Sequence, residues 1–340
     1  MRSTQYCNKK RNARLGNLRR AAVPLLLLAL LAGRAISQET TLRSQSNVVL
    51  IPALVKDAQG GIVYGLAAKD FVIEDDGVEQ SVRLDEAPEG QPISLVLAIQ
   101  RGGRASYEFP RMHGLKSMLD PLFALGVARV AVVEFDSQVD LTQSFTGDES
   151  LIDADLTNLQ PGDSKASILD AISYSVGLLK SEPRDRLRVL LLISEIRDHG
   201  SKLKIEDAVA AIGESNSLMY ALSFSPALSN ILDTERGTNR SEMHPTLNIL
   251  DLMYRTDQAM KKNVPSTIAA MTGGEYELFT TRKKFEVRMN DFTNHLHSRY
   301  LLSFATENPH AGLHQIRVRL RNGSDRLVLA RSSYWAEGTR

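Results

Sequence analysis

Five consecutive residues, Gln100-Arg101-Gly102-Gly103-Arg104, are the best placed for chemistry, because they follow the apolar run Ile93–Ile99. A run so nearly aliphatic predicts a central parallel strand covered on both faces. The turn at the carboxyl end of such a strand is where an α/β sheet builds its ligand site. Two guanidiniums around a Gly-Gly turn have a bland reading as solvated loop residues. They also have a functional one as an anion site, in which the Gly102 and Gly103 N–H groups act with both arginines at a helix start. Catalysis lacks its signatures: there is no Gly-x-Ser-x-Gly elbow, no Gly-x-Gly-x-x-Gly dinucleotide turn and no Walker-type phosphate loop. His295-x-His297 lacks the His-Glu-x-x-His spacing of a zinc enzyme and reads as a surface pair near a helix end. Asp198-His199 is an acid–imidazole cluster that reads as loop chemistry, with a role in ligand contact as the alternative.

Composition narrows the partner. The 340 residues are 43% hydrophobic and 24% charged, an ordinary globular balance, and the length suffices for two domains. Arg2, Lys9, Lys10, Arg11, Arg14, Arg19 and Arg20 precede the apolar stretch Ala21–Ala32 and then Ala35-Ile36-Ser37. That is the layout of a secretory signal cut before Gln38, with an uncleaved membrane anchor as the alternative. Removing residues 1–37 takes away eight Lys/Arg and no Asp/Glu, so 33 basic residues face 40 acidic ones and the net charge moves from +1 to −7. An acidic mature chain has no basic stripe for nucleic acid. Cys7, the single cysteine, lies in the removed segment, which leaves no thiol nucleophile, disulfide, Cys-ligated zinc or acylation cysteine. The chain is expected to be exported, to the periplasm or the extracellular space.

The elements that must position the strand-end loop follow from periodicity. Val48–Val55, a turn at Asp57–Gly61, Phe71–Glu74 and a hairpin turn Asp75-Asp76-Gly77 into Ser81–Leu84 predict short β-strands. Beyond Pro92, strands at Ile93–Ile99, Ala128–Phe135, Leu187–Ser194, Leu218–Phe224 and Tyr276–Phe279 alternate with helical stretches. Those stretches are Tyr107–Leu125, Asp148–Leu156, Ser167–Leu179, Ile205–Gly213, Pro265–Met271 and Phe285–His297. This alternation predicts an α/β fold with a doubly wound, mostly parallel, Rossmann-like sheet. Tyr300–Ala305, Gln315–Leu320 and Leu327–Tyr334 add three closing β segments. The expected division is a signal peptide (1–37), an N-terminal β segment (38–90), an α/β domain (91–298) and a C-terminal β segment (299–340). The two β segments are expected to pair into a small flanking β domain. Residues 226–262 read as a Ser/Asn/Thr-rich loop and an amphipathic helix over Leu247–Met260.

The segments Val55-Lys56-Asp57, Val63-Tyr64-Gly65-Leu66, Asp70-Phe71 and Glu74-Asp75-Asp76-Gly77 carry a family pattern, as do Ile316–Leu320 and Ser333-Tyr334-Trp335 at the end. From roughly Asn47 to Ala336 the chain resembles von Willebrand factor A-related proteins of the acidobacterial type. The resemblance implies a vWA-like fold whose three loops hold a divalent cation with Asp-x-Ser-x-Ser, a Thr and an Asp. Aligned on it, Gln100 replaces the first Asp, Gly102 and Arg104 the two serines, Ala166 the Thr and Glu195 the last Asp. Ser164 and Ser167 lie beside the Thr position and offer an oxygen if the alignment shifts. With one carboxylate kept and two arginines beside the slot, the aligned residues imply no metal and no other cofactor. A third reading of Arg101 and Arg104 then arises, in which one guanidinium fills the cation position and pairs with Glu195. The candidate partner-binding residues are Gln100, Arg101, Gly102, Gly103, Arg104, Ser164, Ala166, Ser167, Glu195 and Asp198. The function so implied is metal-independent, non-catalytic binding of a protein or an extracytoplasmic surface. A structural or assembly component of an envelope complex is the alternative, and a hydrolase or oxidoreductase is the weakest class.

Overall fold

The computed structural model describes residues 47–85, 91–124, 128–183, 185–224, 249–306, 310–323 and 325–336. The expected signal segment and the Ser/Asn/Thr-rich loop from 229 to 241 lie outside them.

β1 (Asn47–Lys56) buries Val49, Ile51, Ala53 and Val55, the period of two expected of a strand with one face in a core. β2 (Phe71–Asp75) and β3 (Val78–Gln80) form a hairpin whose two turn residues, Asp76 and Gly77, have φ of 47° and 85°. A turn with two left-handed residues makes the return strand pair at once, with Asp75 opposite Val78. The return strand therefore precedes the expected Ser81–Leu84, and β4 (Arg83–Asp85) pairs with a strand of a different sheet.

Every residue of β5 (Ile93–Gln100) is buried. Two 3-10 turns, Ala105–Tyr107 and Phe109–Arg111, precede α1 (Leu115–Phe123). The single helix expected over Tyr107–Leu125 is broken because Pro110 opens the second 3-10 turn and Gly114 sits at φ 88°. β6 (Ala128–Phe135), β7 (Val139–Thr146), α2 (Glu149–Thr157), α3 (Ile168–Ser181), β8 (Leu187–Ser194), α4 (Ile205–Glu214) and β9 (Leu218–Phe224) follow. α5 (Ile249–Lys262), α6 (Val264–Thr272), β10 (Tyr276–Phe279) and α7 (Arg282–Leu296) complete the α/β layers. The sheet order is β10-β9-β8-β5-β6-β7, parallel throughout except for β7. Leu95, Leu97 and Ile99 pack with Leu119 of α1 and Phe285 and Met289 of α7, while Val96 and Ala98 face Ile172 of α3, Val209 of α4 and Ile268 of α6. Helices thus cover both faces of a doubly wound sheet, and chain order reverses at β5.

The closing strands are β11 (Tyr300–Thr306), β12 (Gly312–Leu320), β13 (Leu327–Leu329) and β14 (Ser333–Ala336). They pair with the opening ones in two four-stranded sheets, β13-β1-β11-β4 and β14-β12-β2-β3. Ile51 lies opposite Leu302, and Phe71 opposite Leu320, so both ends of the chain build one β core. This core docks on the α/β layers through Trp335, and the approach needs a glycine. A Cβ at Gly213 in α4 would meet the Trp335 Cβ at 2.7 Å. Arg331 is buried at the same junction and donates to Ser333 O (3.0 Å), Asn216 Oδ1 (2.9 Å) and Gly213 O (3.2 Å). Burial pushes its guanidinium pKa down to about 10.

A second buried polar junction surrounds Glu275, which contacts Lys56 Nζ at 2.7 Å, His295 Nδ1 at 2.9 Å and Arg299 at 3.6 Å. Burial alone would raise this carboxyl, but hydrogen bonds from His295 and Lys56 with their positive charge outweigh it and hold the pKa at about 2. His295 is therefore a buried partner of Glu275 rather than half of a surface pair, because α7 turns it toward the start of β10.

Candidate functional site

The carboxyl ends of β5, β6 and β8 bring three loops together, residues 101–104, 162–167 and 195–201. Backbone bonds lace them. Arg101 N donates to Phe135 O (2.8 Å), Gly103 N to Asp163 O (2.7 Å), Gly162 N to Arg101 O (2.9 Å), Ser167 N to Asp136 O (2.8 Å) and His199 N to Ala166 O (3.1 Å). Gly102 is required by this closeness, since a Cβ there would lie 2.0 Å from Lys165 O. Gly103 adopts φ 59° with its missing Cβ 3.0 Å from Glu195 Oε1.

Gln100 is fully buried and organises the centre. Its Oε1 accepts from Glu195 N (2.9 Å), while its Nε2 donates to Gly102 O (3.0 Å) and Glu195 Oε1 (2.6 Å). The amide orientation is fixed by its partners, because a backbone N–H only donates and a carbonyl only accepts. His199 Nε2 donates to the same Glu195 oxygen at 2.9 Å. Glu195 Oε1 therefore already takes two donors, and an N–H group points where a cation would need an oxygen. The residues do not fit the divalent ion that the family resemblance implies at this position.

The arginines divide. Arg101 turns away from Glu195 into an acidic cage, with Nε 3.0 Å from Asp136, one terminal nitrogen 2.5 Å from Asp140 and the other 3.5 Å from Glu134. Burial raises the Glu134 carboxyl, and the Asp155 charge adds to it against the lowering effect of Arg101. Arg104 is exposed and its side chain makes no ion pair or hydrogen bond among the described residues. Neither guanidinium pairs with Glu195; an amide takes that place because Gln100 reaches the carboxylate from the strand end itself. The anion-site reading also fails, since Gly102 N donates to Phe135 O (3.3 Å) and Gly103 N is bound to Asp163 O. The bland reading describes Arg104 and not Arg101.

Ala166 and Ser167 are buried at the start of α3, and Ser167 Oγ has no partner among the described residues. Ser164 is exposed. Asp198 Oδ1 accepts from Leu169 N (3.2 Å) and Ser201 Oγ (2.5 Å), so this carboxylate caps the first turn of α3. The acids around Arg101, namely Glu134, Asp136 and Asp140, are not among the residues expected from sequence to form the site, whereas His199 reads there as loop chemistry beside Asp198. Asp136 follows the end of β6 as Arg101 follows the end of β5, and that shared strand-end position is the signal that finds it. Around the network, Arg104, Lys165, Arg197 and Lys202 are exposed, and the side chains of Arg104, Arg197 and Lys202 make no ion pair among the described residues.

No family model matches the chain, and no curated protein matches it. Solved structures do. The vWF domain of the type V pilus tip protein Mfa5 from Porphyromonas gingivalis is 14% identical over 32% of this chain, with a TM-score of 0.29. The PilB minor pilin from Streptococcus sanguinis is 13% identical over 63%, with a TM-score of 0.40. A von Willebrand factor type A protein from Catenulispora acidiphila is 8% identical over 86% of this chain and 75% of its own, with a TM-score of 0.41. The chain spans 38% of the Mfa5 structure and 63% of the PilB one. No helix among the described residues is long and apolar enough to cross a membrane.

Proposed function

We propose that this chain is an exported vWA-like protein of the acidobacterial type that binds another protein through its three strand-end loops, without catalysis and without an ion at their centre. One observation supports the reading: Gln100, aligned with the first Asp of the family's site, donates its amide to Glu195 at 2.6 Å, so the one retained carboxylate is bonded within the protein. The loops are thereby fixed by internal bonds, and Arg104, Arg197 and Lys202 face outward with their side chains outside any ion pair among the described residues. An internal ion pair has no charge to spare, which removes Arg101 from the binding surface. The partner that fits the remaining cations presents carboxylates, because Arg recognises them with two parallel donors.

The test uses the purified chain immobilised against an extract of the native envelope in the presence of chelator. A retained protein is then purified and titrated. The expected result is binding that survives chelation, weakens with salt and falls at least about tenfold in Arg104→Glu/Arg197→Glu. A partner that needs Mg²⁺, or one indifferent to the double variant, would overturn the proposal.

A further inference from the structure

We propose a second site, at the far ends of the sequence: Asp76, His310 and His314 bind a borderline divalent ion of the Zn²⁺ class on the β-sandwich. It is independent of the loop face.

The fold brings these residues together by strand pairing. β2 ends at Asp75, and β12 runs antiparallel to it with Ile316 opposite Asp75, so the β2–β3 turn meets the start of β12. Asp76 is fixed on both sides, its N donating to Gln315 O (2.9 Å) and its Oδ1 accepting from Gln315 N (2.9 Å). Its other oxygen, Oδ2, lies 2.8 Å from His314 Nδ1 and 3.3 Å from His310 Nε2. The two imidazoles stack at 3.9 Å with 15° between their planes, and His314 stacks in turn on Tyr334 at 4.7 Å. The three donor atoms all lie within 4.8 Å of one another. A tetrahedral ion with bonds of about 2.0–2.1 Å separates its donors by about 3.3 Å, and the exposed His310 ring must rotate out of the stack for both lone pairs to meet the ion.

Two buried atoms point to a cation. His314 is 3% exposed, and its Nε2 lies 2.9 Å from His310 O. A carbonyl only accepts, so Nε2 carries a proton, and Nδ1 is the ring nitrogen turned toward Asp76. Nδ1 makes no geometrically regular hydrogen bond among the described residues, although Asp76 Oδ2 lies 2.8 Å away. Asp75 Oδ1, buried and also without a hydrogen-bond partner there, lies 3.7 Å from the same nitrogen. Its sister oxygen is held by Tyr334 OH at 3.0 Å. Nδ1 thus faces two carboxylates at a buried position, an arrangement that a cation held between them satisfies. The Nε2–H bond to a backbone carbonyl is the outer-shell contact that fixes a metal-binding imidazole in the right tautomer. Two imidazoles with carboxylate suit Zn²⁺, Co²⁺ or Ni²⁺ and not the hard ions Mg²⁺ and Ca²⁺. Asp75 or water supplies the fourth position, and the exposed sides of Asp76 and His310 leave a way in. Such an ion would clip the opening hairpin to the closing strand, residues 76 and 310 being adjacent only in the folded chain.

The experiment uses the chain without a polyhistidine tag. It is stripped with chelator, titrated with Zn²⁺ and Co²⁺, and melted with each. One equivalent of ion, a chelator-reversible rise in melting temperature and ligand-field bands with Co²⁺ are expected. His310→Ala, at an exposed position, should fold and bind at least about tenfold more weakly. Asp76→Asn, which tolerates the left-handed backbone, should do the same. An absence of saturable binding, or wild-type affinity in both variants, would overturn the proposal.

Discussion

Replacing Gln100 by a glutamate changes one atom's chemistry and almost no volume, which isolates the electrostatic logic of the loop network. The buried amide donates to Gly102 O and Glu195 Oε1, and a carboxylate can donate to neither. Two carboxylates would then face each other with oxygens at the present 2.6 Å contact. With charge centres about 4 Å apart and an effective dielectric near 20, their repulsion is about 4 kcal/mol. Each lost donor adds about 1 kcal/mol, and His199 beside Glu195 offsets part of the charge. A net destabilisation of about 3–5 kcal/mol at about pH 7.5 is expected for Gln100→Glu. The new carboxyl's folded pKa is raised by its neighbour, so the penalty is fully present above that folded value and fades as pH falls toward the ordinary carboxyl range. There the introduced side chain, once protonated, donates as the amide did. Denaturant unfolding of both chains at about pH 7.5 and about pH 4.5 measures this. A variant within about 0.5 kcal/mol of the parent at the higher pH, or a deficit of the same size at both, would refute the reasoning.

Glu275→Gln should cost about 3 kcal/mol at neutral pH, the equivalent of holding its carboxyl at about 2 instead of the ordinary 4.5. That contribution is present above the ordinary value and is lost as pH falls toward about 2, so urea melts should show the variant less stable at neutral pH and with a flatter acid limb. Gly102→Ala places a methyl 2.0 Å from Lys165 O and 2.7 Å from Asp136 Cβ, so it must prise the first two loops apart. It should destabilise by about 3 kcal/mol in chemical unfolding, and a neutral result would mean that the loops are not in contact.

Much of the α/β layer is legible in the sequence because its strands are covered on both faces. Ile93–Ile99 and Leu187–Ser194 need no alternation to declare themselves. β7 is not legible, since Val139–Thr146 mixes Asp, Thr, Gln and Ser on an antiparallel edge where one side meets water. Missing that strand has a consequence at the site: Asp140, on β7, and Asp136, just before it, are the acids that draw Arg101 away from Glu195. The hairpin at Asp75-Asp76-Gly77 is visible in turn chemistry, but its tightness, and so the start of β3 at Val78, depends on two left-handed residues. Gln100 is identifiable as the strand-end residue. Its amide bonding is not, because the distance to Glu195 is set by a parallel register that sequence periodicity does not measure.

The central claim is that an amide and an imidazole do at the sheet top what a cation does in the family this chain resembles. Thermal melts with millimolar Mg²⁺, Mn²⁺ or Ca²⁺, each against chelator, test it most directly, since an ion bound to the folded state must raise the melting temperature. These ions are chosen because the imidazole-rich site on the sandwich does not suit Mg²⁺ or Ca²⁺. The melts should coincide. A chelator-reversible rise that disappears in Glu195→Ala would contradict the account.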